Sequence, residues 1–124
     1  MDAPIFIETD RFEYRKVQPH FINPCCFGED LAAWLKLELS RFADVQVSEP
    51  IQEDYGWGIW VIQGEDRFWV AVSYAGDGPQ ESPAQWAISV DPASRLLRTS
   101  AVTAIRDRIQ HVLASSIGVV IVRS

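Results

Sequence analysis

From Glu29 to Phe42 the apolar side chains Leu31, Trp34, Leu35, Leu39 and Phe42 recur three or four residues apart, while Lys36, Glu38 and Arg41 turn away from them. That spacing predicts an amphipathic helix. Glu29 and Asp30 in its first turn and Arg41 in its last complement the helix dipole. A second helix is expected where Val102, Ile105, Ile109, Val112 and Leu113 repeat at the same spacing, ending near Ser115. Elsewhere the period is two. Phe12, Glu13, Tyr14 and Arg15 alternate within the segment Pro4 to Val17, which predicts a half-exposed strand, with a shorter extended piece around Ile5 to Ile7. Val45 and Val47 open another extended stretch that Pro50 interrupts, as at an edge strand or a bulge. Gln85 to Val90 alternates through Trp86, Ile88 and Val90, and Val119 to Val122 is a β-branched run suited to a final short strand.

The strongest extended signal lies at the centre. Trp57 to Gln63 and Arg67 to Tyr74 are aromatic and β-branched runs joined by Gly64, Glu65 and Asp66, the pattern of an antiparallel hairpin. Pairing Ile62 with Phe68, Trp60 with Val70 and Gly58 with Val72 makes one side wholly apolar, and shifting that register by one residue would break the segregation. The other side then carries Trp57, Ile59, Val61, Trp69 and Ala71, with Gln63, Arg67 and Ser73 among them. That is more apolar surface than a sheet face turned to water usually shows.

The size, 124 residues with 48% hydrophobic content, suits one domain able to build a core without staples. A net charge of −6 repels phosphate backbones, so nucleic acid is not an expected partner. No apolar run approaches the ~20 residues needed to span a bilayer, and MDAPIFIETDRFEYRK lacks the basic head and apolar segment of a secretory signal. A cytoplasmic location is expected, with no membrane partner. Cys25 and Cys26 are adjacent, a geometry that strains a disulfide, so a reduced pair is expected in the loop between Val17 and Gly28.

Three groups of residues could carry chemistry. Glu49, Glu53 and Asp54 precede Tyr55 and could do acid and base work if burial separated their pKa values. Neighbours on an extended strand point to opposite faces, however, and a solvated turn before Trp57 is the preferred reading. Cys25 and Cys26 stand just before a helix start, where the dipole favours a thiolate, and His20 lies five residues earlier. Against a nucleophile, the pair lacks redox spacing, and free cysteine is commonly a small buried hydrophobe. His20 with the two thiols falls short of the four donors of structural zinc, so no metal is expected, and His111 suits a helix C-terminus without any ligand role. Gly76, Asp77 and Gly78 lack the Lys-Ser or Lys-Thr pair of a phosphate cradle and read as a loop.

The block NPCCFGEDLAAWLKLEL followed by VSEPIQEDYGWGIWV resembles small uncharacterised bacterial single-domain α+β proteins over the middle third of the chain, and that resemblance implies no activity. The order helix, antiparallel strands, helix also resembles the architecture of bacterial secretion chaperones and toxin-immunity proteins. The expectation is an α+β domain, an antiparallel sheet of four to five strands with two helices on one face. Its expected role is a non-enzymatic binding or regulatory module without cofactor, which meets a protein partner or a second copy through Tyr55, Trp57, Ile59 and Trp69. The alternative is a small thiol-dependent enzyme using Cys25 or Cys26 with help from Glu49, Glu53 or Asp54.

Overall fold

The computed structural model describes residues 4–16, 18–22, 27–75, 83–94 and 99–123. The helical spacing between Glu29 and Phe42 becomes α1 (Glu29–Leu39), with Leu31, Leu35 and Leu39 fully buried and Leu37 exposed. The second apolar repeat becomes α2 (Thr99–Ala114), which buries Ile105, Ile109, Val112 and Leu113. The extended segments are β1 (Ile5–Glu8), β2 (Val45–Val47), β3 (Ile51–Glu53), β4 (Gly56–Gln63), β5 (Asp66–Tyr74), β6 (Gln85–Pro92) and β7 (Val120–Arg123). They form one antiparallel sheet in the order β2-β4-β5-β6-β1-β7, with β3 also paired to β4. The class is α+β as expected, but the sheet has seven strands rather than four or five. The excess comes from strands of three or four residues, in which alternation is too brief to separate one strand from two.

Two expectations about the strands are corrected. Residues Phe12 to Arg15 do alternate in burial, Phe12 and Tyr14 in and Glu13 and Arg15 out, yet they form no strand. The ladder stops at Glu8. Thr9 Oγ1 accepts the Arg11 N–H at 3.1 Å and Asp10 Oδ1 accepts the Ala84 N–H at 3.0 Å, turning the chain off the sheet. Phe12 then packs on Trp34 and Trp86, and Tyr14 stacks on Tyr74, so aromatic contact replaces strand pairing.

The second correction concerns the central hairpin. Gly64 and Glu65 alone make its turn, Asp66 already pairing with Gln63, and Gly64 takes φ +62, a conformation glycine reaches without steric cost. A two-residue turn instead of three moves the register by one. Trp57 faces Val72, Ile59 faces Val70 and Val61 faces Phe68, and these six side chains form the buried inner face. Trp60 and Ile62 lie on the outer face instead, beside Trp69, Ala71 and Ser73, which are there as expected.

The inner face continues through Trp86, Ile88 and Val90 on β6 and Ile5 and Ile7 on β1, and both helices close over it. Trp86 is fully buried, with its indole N–H donated to the Thr9 carbonyl at 3.2 Å. No described helix is long and apolar enough to cross a membrane. Leu35 and Leu37 are neighbours on opposite sides of α1, at 0% and 67% exposure. Leu35→Ala should cost about 2–5 kcal/mol in urea unfolding, and Leu37→Ala should stay within about 0.5 kcal/mol of wild type. Equal effects would contradict this placement of the helix.

Candidate functional site

Trp60 and Trp69 are cross-strand partners on the outer face, ring centroids 5.0 Å apart and tilted by 57°. Trp69 lies over Gly58, where an added Cβ would come within 2.1 Å of its Cζ2, so the absence of a side chain there is what lets the indole lie down on the sheet. In that position its Nε1–H reaches the hydroxyl of Tyr55 at 2.7 Å. Tyr55 stands in the two-residue turn between β3 and β4, 49% exposed. The Arg67 guanidinium covers the Trp60 ring at 4.9 Å, and Ile51 on β3 lies partly exposed nearby.

Beside this aromatic group the outer face sinks into a groove of about 320 Å³. Small side chains make its floor, Ala71 and Ser73 from β5 and Ala87 and Ser89 from β6. Tyr55 and Asp91 stand at its margin, and Pro4 lines it as well. Partial burial raises the Tyr55 pKa above the ordinary phenol value. The hydrogen bond from Trp69 opposes that rise, and the negative charges of Glu53 and Asp91 add to it. Tyr55 is therefore a neutral phenol near neutral pH, flanked by carboxylates.

The residues expected to act are distributed as follows. Tyr55 and Trp69 belong to the outer group, whereas Trp57 at 5% exposure and Ile59 at 0% are in the core and present no surface to a partner. The turn parity described above is the reason. Glu49 pairs with Lys36 of α1, Glu53 projects on the outer side at the end of β3, and Asp54 lies in the adjoining turn. Cys25, Cys26 and the Gly76-Asp77-Gly78 loop lie outside the described residues. Trp60 and Asp91 join the outer site although their sequence context did not mark them. Trp60 was concealed by the register, and Asp91 becomes relevant only because β6 sets it opposite Trp69.

A second hollow, of about 230 Å³, opens at the start of α1 between Phe21, Phe27 and the polar side chains of His20, Glu29 and Asp30. His20 Nε2 lies 2.6 Å from a Glu29 carboxylate oxygen, with its ring edge-on to Phe21 and within 6.4 Å of Trp57. Asp30 accepts N–H bonds from Glu13 at 2.7 Å and from Leu31 at 3.0 Å. Desolvation from the protein mass behind it is the larger influence and raises its pKa, although one side remains open to water. Among the described residues no three His, Cys, Asp or Glu side chains gather as a metal-holding group. Comparison with known proteins finds no matching family model, no matching curated protein and no matching solved structure.

Two outcomes test this geometry. Gly58→Ala should displace the Trp69 indole, shift its N–H resonance and cost about 1–3 kcal/mol from overpacking; an unmoved resonance would mean that Trp69 does not lie over Gly58. A raised Asp30 pKa means the folded state prefers the protonated form. Its stabilising contribution is complete below the unfolded pKa and is lost as pH rises through the folded one. Urea titrations across the acid range should thus show Asp30→Asn gaining on wild type as pH rises, and a constant gap between the two would oppose this reading.

Proposed function

We propose that this protein is a non-enzymatic binding module that captures another protein through the outer face of its sheet. The observation that carries the reading is the Trp60–Trp69–Tyr55 group, held at the surface by a ring contact and a 2.7 Å hydrogen bond beside an open groove. Rigid aromatic anchors at the edge of a hollow are the usual hot spots of recognition, since they bury much area while losing little side-chain freedom. A partner of different sequence fits better than a second copy, because two such faces would set the Glu53 and Asp91 carboxylates of one against those of the other. The chaperone-like and immunity-like roles implied by architectural resemblance both fall within this reading.

The test is capture followed by direct measurement. A protein retained by wild type should be purified and its affinity measured against Trp69→Ala, with Leu37→Ala as an exposed control on the far layer. A loss of about 2 kcal/mol, roughly thirtyfold, is expected for Trp69→Ala and none for the control. Equal affinities would overturn the reading, as would sedimentation showing a wild-type dimer that Trp69→Ala dissociates.

A second reading rests on the His20–Glu29 pair, a base held by a carboxylate five residues ahead of Cys25 in sequence. In it, Cys25 or Cys26 is a nucleophile that His20 activates. An alkylating probe should then react with one of them faster than with a model thiol near neutral pH, and His20→Ala should abolish the difference. Ordinary reactivity at both thiols would remove it.

A further inference from the structure

Resting on the docking face just proposed, we infer that its partner is a basic segment, and that one lysine or arginine side chain of that segment lodges against Tyr55 between Glu53 and Asp91. The groove supplies the space. Its floor of two alanines and two serines leaves room beside Tyr55 that the larger side chains of the same face do not fill. Asp91 of β6 lines the groove with Tyr55, Glu53 ends β3 on the outer side just before the Tyr55 turn, and the charges of both act on the phenol.

Neither carboxylate has a lysine, arginine or histidine within ion-pair distance among the described residues, whereas Glu29, Glu38, Glu49 and Asp44 each have one. Among the described residues, the cation on this face closest in sequence to these positions is placed elsewhere. Arg67 neighbours Trp69 along the outer side of β5, two residues from the position opposite Asp91, but its guanidinium lies over Trp60. Among the described residues, the face therefore already holds one cation against an aromatic ring and leaves the two carboxylates beside Tyr55 without one.

A cationic side chain entering here would meet complementary groups in sequence. Its methylenes would lie on the alanine floor, its charged head would donate to Glu53 and Asp91, and the Tyr55 ring would offer an electron-rich face. Tyr55 Oη accepts from Trp69 and keeps a second lone pair, so the phenol can accept from an incoming N–H as well. An acidic partner would meet repulsion from both carboxylates and from a chain of net charge −6.

The experiment uses two capped pentapeptides, acetyl-Leu-Arg-Leu-Arg-Leu-amide and its analogue with citrulline in place of arginine, titrated into the full chain while the Trp69 indole N–H is followed by NMR. The arginine peptide should shift that resonance saturably and weaken as salt is added. Affinity should fall about tenfold with the citrulline peptide and about tenfold in the double variant Glu53→Gln, Asp91→Asn. The control double variant Glu65→Gln, Asp66→Asn removes the same charge at the far hairpin turn and should bind as wild type does. Equal binding of the two peptides, an unaffected Glu53→Gln, Asp91→Asn variant, or an equal loss in the control would each overturn the cation seat while the docking face stands. No shift with either peptide overturns the seat too, and the docking face is then judged separately by the Trp69→Ala affinity of the captured protein.

Discussion

The parity of the turn at Gly64–Glu65 decides on which side of the sheet every side chain of the central hairpin lies. Side chains alternate strictly along a strand, so one residue more or fewer in the turn exchanges the two faces of one strand relative to the other. With two residues, β4 contributes Trp57, Ile59 and Val61 to the inner face that β5 meets with Phe68, Val70 and Val72. β4 and β5 sit near the middle of the sheet, so the layer over which both helices close depends on that choice. The same turn also puts Trp60 and Trp69 together outside. Core and surface site follow from one constraint.

Gly58 is where the two layers of consequence meet. On the inner side its neighbours Trp57 and Ile59 are sealed in the core; on the outer side its missing side chain makes the place in which Trp69 lies. A residue with a Cβ would hold the indole away from the sheet and out of reach of Tyr55. The hydrogen bond from Trp69 in turn ties the turn between β3 and β4 to the middle of the sheet, so an exposed loop residue is positioned by a central strand. A site on rigid strands loses little freedom when a partner arrives, which favours recognition over mere stickiness.

Both helices were legible because their apolar repeats run for several turns, and α1 follows its predicted stripe from Leu31 to Leu39. The alternation of Gln85 to Val90 and the β-branched run of Val119 to Val122 also point to strands, which the structure places at Gln85–Pro92 and Val120–Arg123. The register was not. Two pairings of the hairpin differ by one residue, and either one leaves an apolar face, because β4 is apolar at nearly every position from Trp57 to Ile62. Alternation carries information only where the two faces differ in polarity, and here they scarcely do. The alternation therefore points Trp57 and Ile59 outward and Trp60 inward, and the structure reverses all three, while Trp69 of β5 lies outside in either pairing and donates to Tyr55 there. Phe12 to Arg15 misled for a related reason, since alternating burial can arise from a coil laid across a core as well as from a ladder.

A sheet with apolar side chains on both faces and helices on one leaves its second face open to association, with a partner or with a copy of itself. Acidic surplus bears on that choice. Glu53 and Asp91 border the aromatic group, and Arg67 turns its charge onto Trp60 instead of neutralising Asp91. Identical faces brought together would oppose like charges over their most apolar region, at a cost that screening by salt reduces but close contact restores. In the proposed reading the same two carboxylates would oppose a second copy and attract a basic segment, so removing them would relax the repulsion and the attraction together. In that reading the carboxylates beside Tyr55 and the half-buried rings of Trp60 and Trp69 would act as two parts of one specificity device.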